Sequence, residues 1–238
     1  MSVRPSRALL ATLAAAQVAY GQVPGQRGTG STRALVLLML GTSATEAAEA
    51  RSAAPVAAAG AIGFAAEVAG VATGRPFGHY AYSGKLGPRV GGVPLLAAAA
   101  WAMMARPSWV AAGWLTPRRA PRVALASAAL TAWDVFLDPR MAREGYWTWP
   151  DGGRYEGVPA SNFLGWWVTG LGVFAVWSLL EDDAPDARDD GALALYAWTW
   201  LGETFANAAL WRRPRVAVVG ALAMGAIAVP ALRRRWRR

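Results

Sequence analysis

Apolar runs close to membrane-spanning length follow one another along the chain, and charged residues collect in short segments between them. Candidate spans fall at about 8–23, 33–50, 56–73, 90–105, 122–138, 161–180, 190–210 and 215–232. The segment 107–117 is too short to span and is expected at the interface, where Trp109 and Trp114 are at home. Arg4 and Arg7 precede the first run as in a signal peptide, but no clean cleavage site follows, so it is read as a span. The expected fold is all-α: a polytopic integral membrane helical bundle of about 7–8 spans, one domain over 1–238. Composition agrees. The chain is 55% hydrophobic and 16% charged, and rich in the Ala and Gly that let membrane helices pack closely.

Charge and residue types exclude several functions. The net charge is +9, but its Arg flank apolar runs, as in "WRRPR" (211–215) and "LRRRWRR" (232–238). That pattern anchors a chain at membrane edges and does not build a nucleic-acid groove. Basic residues divide almost evenly between the two sides, and the cluster at 233–238 tips both termini toward the cytoplasm of a cell-membrane protein. There is no Cys and one His, so thiolate and multi-His metal sites are excluded. Neither nucleotide-binding glycine motif is present. No cofactor is expected.

An internal echo organises the middle of the chain. Glu67 is followed by Gly78, Tyr80 and Tyr82; at matching spacing, Asp134 is followed by Gly145, Trp147 and Trp149. "GGVP" (91–94) and "EGVP" (156–159) come next, each followed seven residues later by a Trp, Trp101 and Trp166. The offset is 67 residues for the first set and 65 for the second. We read a span–loop–span unit occurring twice in parallel, as in some transporters. The third, fifth and seventh spans then run in one direction. Glu67, Asp134, Asp138 and Glu203, with loops 74–89 and 139–160, converge at one end of the bundle. Glu46 and Glu49 fall at the other end.

Asp134 and Asp138 are four apart and share a helix face, and Pro139 is expected to end the span at Asp138. Desolvation, mutual repulsion and the negative end of the helix dipole each favour the protonated form of at least one. A protonated carboxyl is what a general acid requires. Asp134, one turn deeper, is the expected donor; Asp138 is expected to position water. The bland alternative is a pair bridged to Arg140 or Arg143 at the membrane edge. Glu67 lies in an apolar span, so it is either protonated or paired, with Arg89 as one structural partner. Glu203 follows the same logic. His79, Tyr80, Tyr82, Trp133, Trp147, Trp149, Tyr155, Asn162 and Trp166 complete the candidate binding set. Rings facing an apolar cavity can stabilise a cation, although Tyr and Trp also form interfacial belts and Asn162 is a good N-cap.

Together, "ATGRPFGHYAYSGKLGPRVGGVPLLAAAAW" and "DVFLDPRMAREGYWTWPDGGRYEGVPASNFLGWWVTG" resemble the two signature blocks of the membrane carotenoid 1′,2′-hydratases, a group of carotenoid biosynthesis proteins. The likeness covers roughly 56–180. Glu156, before the second "GVP", departs from the pattern. The resemblance implies an enzyme that adds water to the terminal double bond of an acyclic carotenoid ψ-end, giving a tertiary alcohol. Its partners are the carotenoid, water and membrane lipid. A membrane carotenoid cyclase protonates the same bond but traps the cation with another double bond. A non-catalytic carotenoid or lipid carrier, or a transporter half, needs rings and repeats but no crowded acid pair.

Overall fold

The computed structural model describes residues 4–22, 28–181 and 183–237. Val23, at the end of the first expected span, and Arg238, in the C-terminal basic cluster, lie outside them. Among the described residues, eight helices run in alternating directions: α1 Pro5–Gln22, α2 Thr29–Glu49, α3 Ala53–Thr73, α4 Leu95–Leu115, α5 Arg119–Arg143, α6 Ala160–Leu180, α7 Asp190–Phe205 and α8 Pro214–Trp236. The all-α expectation holds. Three helices, α3, α6 and α8, are long and apolar enough to cross a membrane by length and composition. The expected seven or eight spans are not reached on that measure. The reason is partly buried charge, such as Glu46 in α2, Arg106 in α4 and the two Asp of α5, and partly the short reach of α7.

The largest correction is α4. The spans expected at 90–105 and the interfacial piece at 107–117 are one helix, and every residue from Trp101 to Trp114 is buried. α4 packs against α2, α3, α5, α7 and α8, and a helix surrounded on all sides is apolar all round. Arg106 could sit here only with its charge matched. Its guanidinium donates to Glu46 Oε2, to Asp189 Oδ1 at 2.6 Å and to Ser52 Oγ at 2.7 Å, with Glu181 Oε1 at 3.6 Å. The "ARPS" sequence therefore need not lie at an interface. Glu46 is the partner of this network.

The second correction is the end of α5. It does not stop at Asp138 but continues through Pro139 to Arg143. Proline has no N–H for the carbonyl four residues back, which is Val135. The Tyr155 hydroxyl supplies the missing donor to that oxygen at 3.2 Å. At the end of α7 the chain widens into a π-turn, Ala206–Leu210, where Asn207 Nδ2 donates back to the Glu203 carbonyl at 2.9 Å.

The two connecting segments after α3 and α5 meet at one end of the bundle. Strand β1 (Ala81–Tyr82) pairs antiparallel with β4 (Trp147–Thr148), with Ala81 opposite Thr148 and Tyr82 opposite Trp147. Within the first segment, β2 (Arg89–Val90) pairs with β3 (Val93–Pro94) and turns the chain into α4.

Removing one member of a buried ion cluster leaves the others unpaired, at about 3–5 kcal/mol. Arg106→Ala should therefore lower the unfolding free energy in mixed micelles by about 3–5 kcal/mol. Arg106 lies far from the acids at the opposite end, so surviving protein should keep wild-type activity per folded molecule.

Candidate functional site

Each acid is held by donors from its own unit. Glu67, buried in α3, accepts from the Tyr80 hydroxyl, from the Tyr82 hydroxyl at 2.9 Å and from Trp101 Nε1 at 3.1 Å. Asp138 accepts from Trp147 Nε1 at 3.1 Å and from Asn162 Nδ2. The same Asn162 nitrogen donates to Asp134 Oδ2 at 3.0 Å. Asn162 therefore does not cap α6, whose N-cap is Pro159; it clamps the two carboxyls together. The other oxygen of Asp134, Oδ1, is buried with no hydrogen-bond partner.

The echo in the sequence becomes an exchange in space. By position, Tyr80 corresponds to Trp147 and Tyr82 to Trp149. In the structure Tyr82 meets Trp147 with ring centroids 5.5 Å apart, and Tyr80 meets Trp149 at 5.9 Å. Each contact is the exchange partner of the other, the mark of a two-fold-related interface. Trp101 and Trp166 occupy the corresponding place in each unit, and they stack on one another at 4.1 Å and 11°. Gly63 makes room for this stack, since a Cβ there would fall 2.0 Å from Trp101 Cγ.

These groups enclose a cavity of about 50 Å³. Glu67, Asp138 and Asn162 line it with the rings of Tyr80, Tyr82, Trp147, Trp149 and Trp166. Asp134 is not on its wall; it lies behind Asp138, joined through Asn162. A second cavity of about 380 Å³ lies between α1, α2, α5 and α7. Among the described residues, no group of three or more His, Asp or Glu side chains is placed to hold a metal ion.

A carotenoid biosynthesis protein family model matches residues 9–230. The chain belongs to that family. No curated protein and no solved structure matches it.

In this carotenoid biosynthesis protein, four candidates stand away from the carboxylate cavity. His79 is exposed, with its ring against Gly74, whose left-handed backbone (φ 73°) and missing side chain admit it. Tyr155 is spent on the Val135 carbonyl and packs on Phe163 at 5.7 Å. Trp133 is edge-on to Trp166 at 6.1 Å and, like Glu203, lines the larger cavity. Neither Arg143 nor Arg89 bridges the acids; Arg140 pairs with Glu144 instead, at 3.2 Å. Trp101 was missed as a site residue, although its place in the echo was a usable signal. Met103, Leu137 and Met141 also line the cavity, and nothing in their chemistry marks them in a sequence this apolar.

Burial first, and the neighbouring Glu67 carboxylate second, hold the Tyr80 and Tyr82 hydroxyls well above the usual phenol range. Burial also pushes Tyr155 up to about 12. A group whose folded-state pKa is raised gives stability that is full below its unfolded value and is lost as pH rises through the folded one. Stability should therefore hold below pH ~10 and fall above it. Unfolding curves measured across that range should slope more gently for Y80F/Y82F than for the wild type.

Proposed function

We propose that the protein hydrates the terminal 1,2 double bond of an acyclic carotenoid ψ-end to a tertiary alcohol, as a hydro-lyase. The observation that carries this reading is the small cavity with Asp138 and Glu67 both on its wall, together with Asn162, five aromatic rings and otherwise apolar side chains. Family membership supports carotenoid chemistry, and the two opposed acids in a ring-lined space suit protonation followed by water capture.

Two buried carboxyls held on one amide nitrogen do not both ionise readily, so the Asp134–Asp138 pair holds one proton. Asp138 delivers it, because Asp138 faces the cavity and Asp134 backs it. This assigns delivery to the acid that the sequence suggested for positioning water. The proton goes to the less substituted alkene carbon and leaves a tertiary cation on the other. The faces of Tyr80, Trp147, Trp149 and Trp166 stabilise that charge. Water adds to the cation, and its surplus proton passes to Glu67, a carboxylate already oriented by three donors. Return of that proton to the Asp pair restores the resting enzyme. The net change is one water added, with no oxidation or reduction and no cofactor assigned. The protein works as a multi-pass protein of the cell membrane with both termini on the cytoplasmic side, and takes its substrate from lipid.

General acid–base groups contribute about 10²–10⁴ in rate. With an acyclic carotene in nanodiscs, Asp138→Asn and Glu67→Gln should each lower the rate of water addition by about 10²–10⁴. Asp134→Asn should lower it less, since Asp138 still faces the alkene. Product mass is the readout: hydration adds one water, whereas cyclisation leaves mass unchanged. Full activity in all three variants would make the carboxylates structural.

A further inference from the structure

The larger cavity has features that the hydration step does not use. It shares four wall residues with the carboxylate cavity: Val36, Met103, Leu137 and Met141. The two spaces are therefore neighbours separated by one apolar partition. At its other side the large cavity is edged by Val18, Leu201 and Phe205, which are 45%, 55% and 57% exposed on the flank of α1 and α7. These are large apolar side chains on an outer helix surface, the kind that faces lipid.

Several of its polar residues are already engaged. Arg140 lies between the rings of Tyr20 and Trp211, at 4.9 and 4.8 Å, and pairs with Glu144. Glu203 accepts from Asn207 at 3.3 Å, and Gln17 accepts from Trp198 Nε1 at 2.6 Å. What remains for a ligand is mostly apolar surface. A ligand that needed polar recognition would have to break these pairs, at a cost of the order of 1–3 kcal/mol for each group left unpaired. A hydrocarbon chain breaks none.

We infer that the large cavity is the berth for the substrate's polyene chain, filled sideways from lipid between α1 and α7. Val36, Met103, Leu137 and Met141 form a neck through which the chain's acyclic tip reaches Asp138 and Glu67. The identity of the chain rests on the hydration reading above; the berth and the neck rest on the four wall residues that the two cavities share.

Gly202 lines the berth, and a Cβ there meets only Trp198 at 3.9 Å, an ordinary contact. Gly202→Phe therefore grows into the space without backbone strain, and it replaces a poor helix former. The probe is an achiral acyclic carotene in nanodiscs, with visible circular dichroism induced in the polyene band as the binding signal and product mass as the activity signal. Wild type should show both. Gly202→Phe should lose at least about tenfold in carotene affinity, equivalent to about 1.4 kcal/mol, and lose product in parallel. Leu137→Trp should keep the induced signal and lose product. Leu222→Phe, on the outer face of α8 where Leu222 is 70% exposed, should match wild type in both. Wild-type binding and turnover in Gly202→Phe would overturn the berth, as would product formation without any induced signal; in either case hydration itself would stand. Turnover at the wild-type rate in Leu137→Trp would overturn the neck. An induced signal lost in Gly202→Phe, with no water added by any form, would support the berth and sink the hydration reading.

Discussion

A carboxylate placed inside an apolar helix must find hydrogen-bond donors within reach, because leaving it unpartnered there costs several kcal/mol. Much of the site-bearing end of this fold is arranged around that demand. Glu67 recruits two hydroxyls from the segment after α3 and an indole from α4. Asp138 recruits an indole from the segment after α5 and an amide from α6. Each recruitment folds a long connection back over the helix end that precedes it. The two folded segments then pair through β1 and β4, and the stacked Trp101 and Trp166 tie the units together beneath them.

The two ends of the bundle answer the same demand differently. Around Arg106, three carboxylates surround one guanidinium, and opposite charges offset burial directly. That arrangement locks α2, α4 and the start of α7 together. At the other end, three acids lie close together with neutral donors in place of cations. Neutral donors orient a carboxyl without committing its charge. Asp134 Oδ1 is buried and receives no hydrogen bond from these neutral donors. The first arrangement holds its acids with a cation, the second with hydroxyl, indole and amide groups.

Much of this was legible in the sequence. The order of the helices followed from apolar runs and the charges between them. The pairing of the two segments followed from the echo of Glu67-Tyr80-Tyr82 in Asp134-Trp147-Trp149. What failed did so for local physical reasons. Arg106 and Pro107 read as a break because the partner that buries Arg106, Glu46, lies 60 positions away. Pro139 read as a helix end because its relief, the Tyr155 hydroxyl, arrives from far along the loop that follows. Trp133 and Glu203 face the larger cavity, and their spacing from the acids of α5 and α3 does not say which of two neighbouring cavities a side chain enters. The apolar neck residues were silent for the same reason.

The central claim is that water, not a second double bond, captures the cation formed beside Asp138 and Glu67. A single turnover of an acyclic carotene by the reconstituted protein, in water labelled in both oxygen and hydrogen, tests it most directly. Hydration predicts one labelled oxygen on the tertiary carbon and one labelled hydrogen on its neighbour in the same product molecule. A product carrying labelled hydrogen but no labelled oxygen, at unchanged elemental composition, would mean that the cation closes a ring and would contradict the claim.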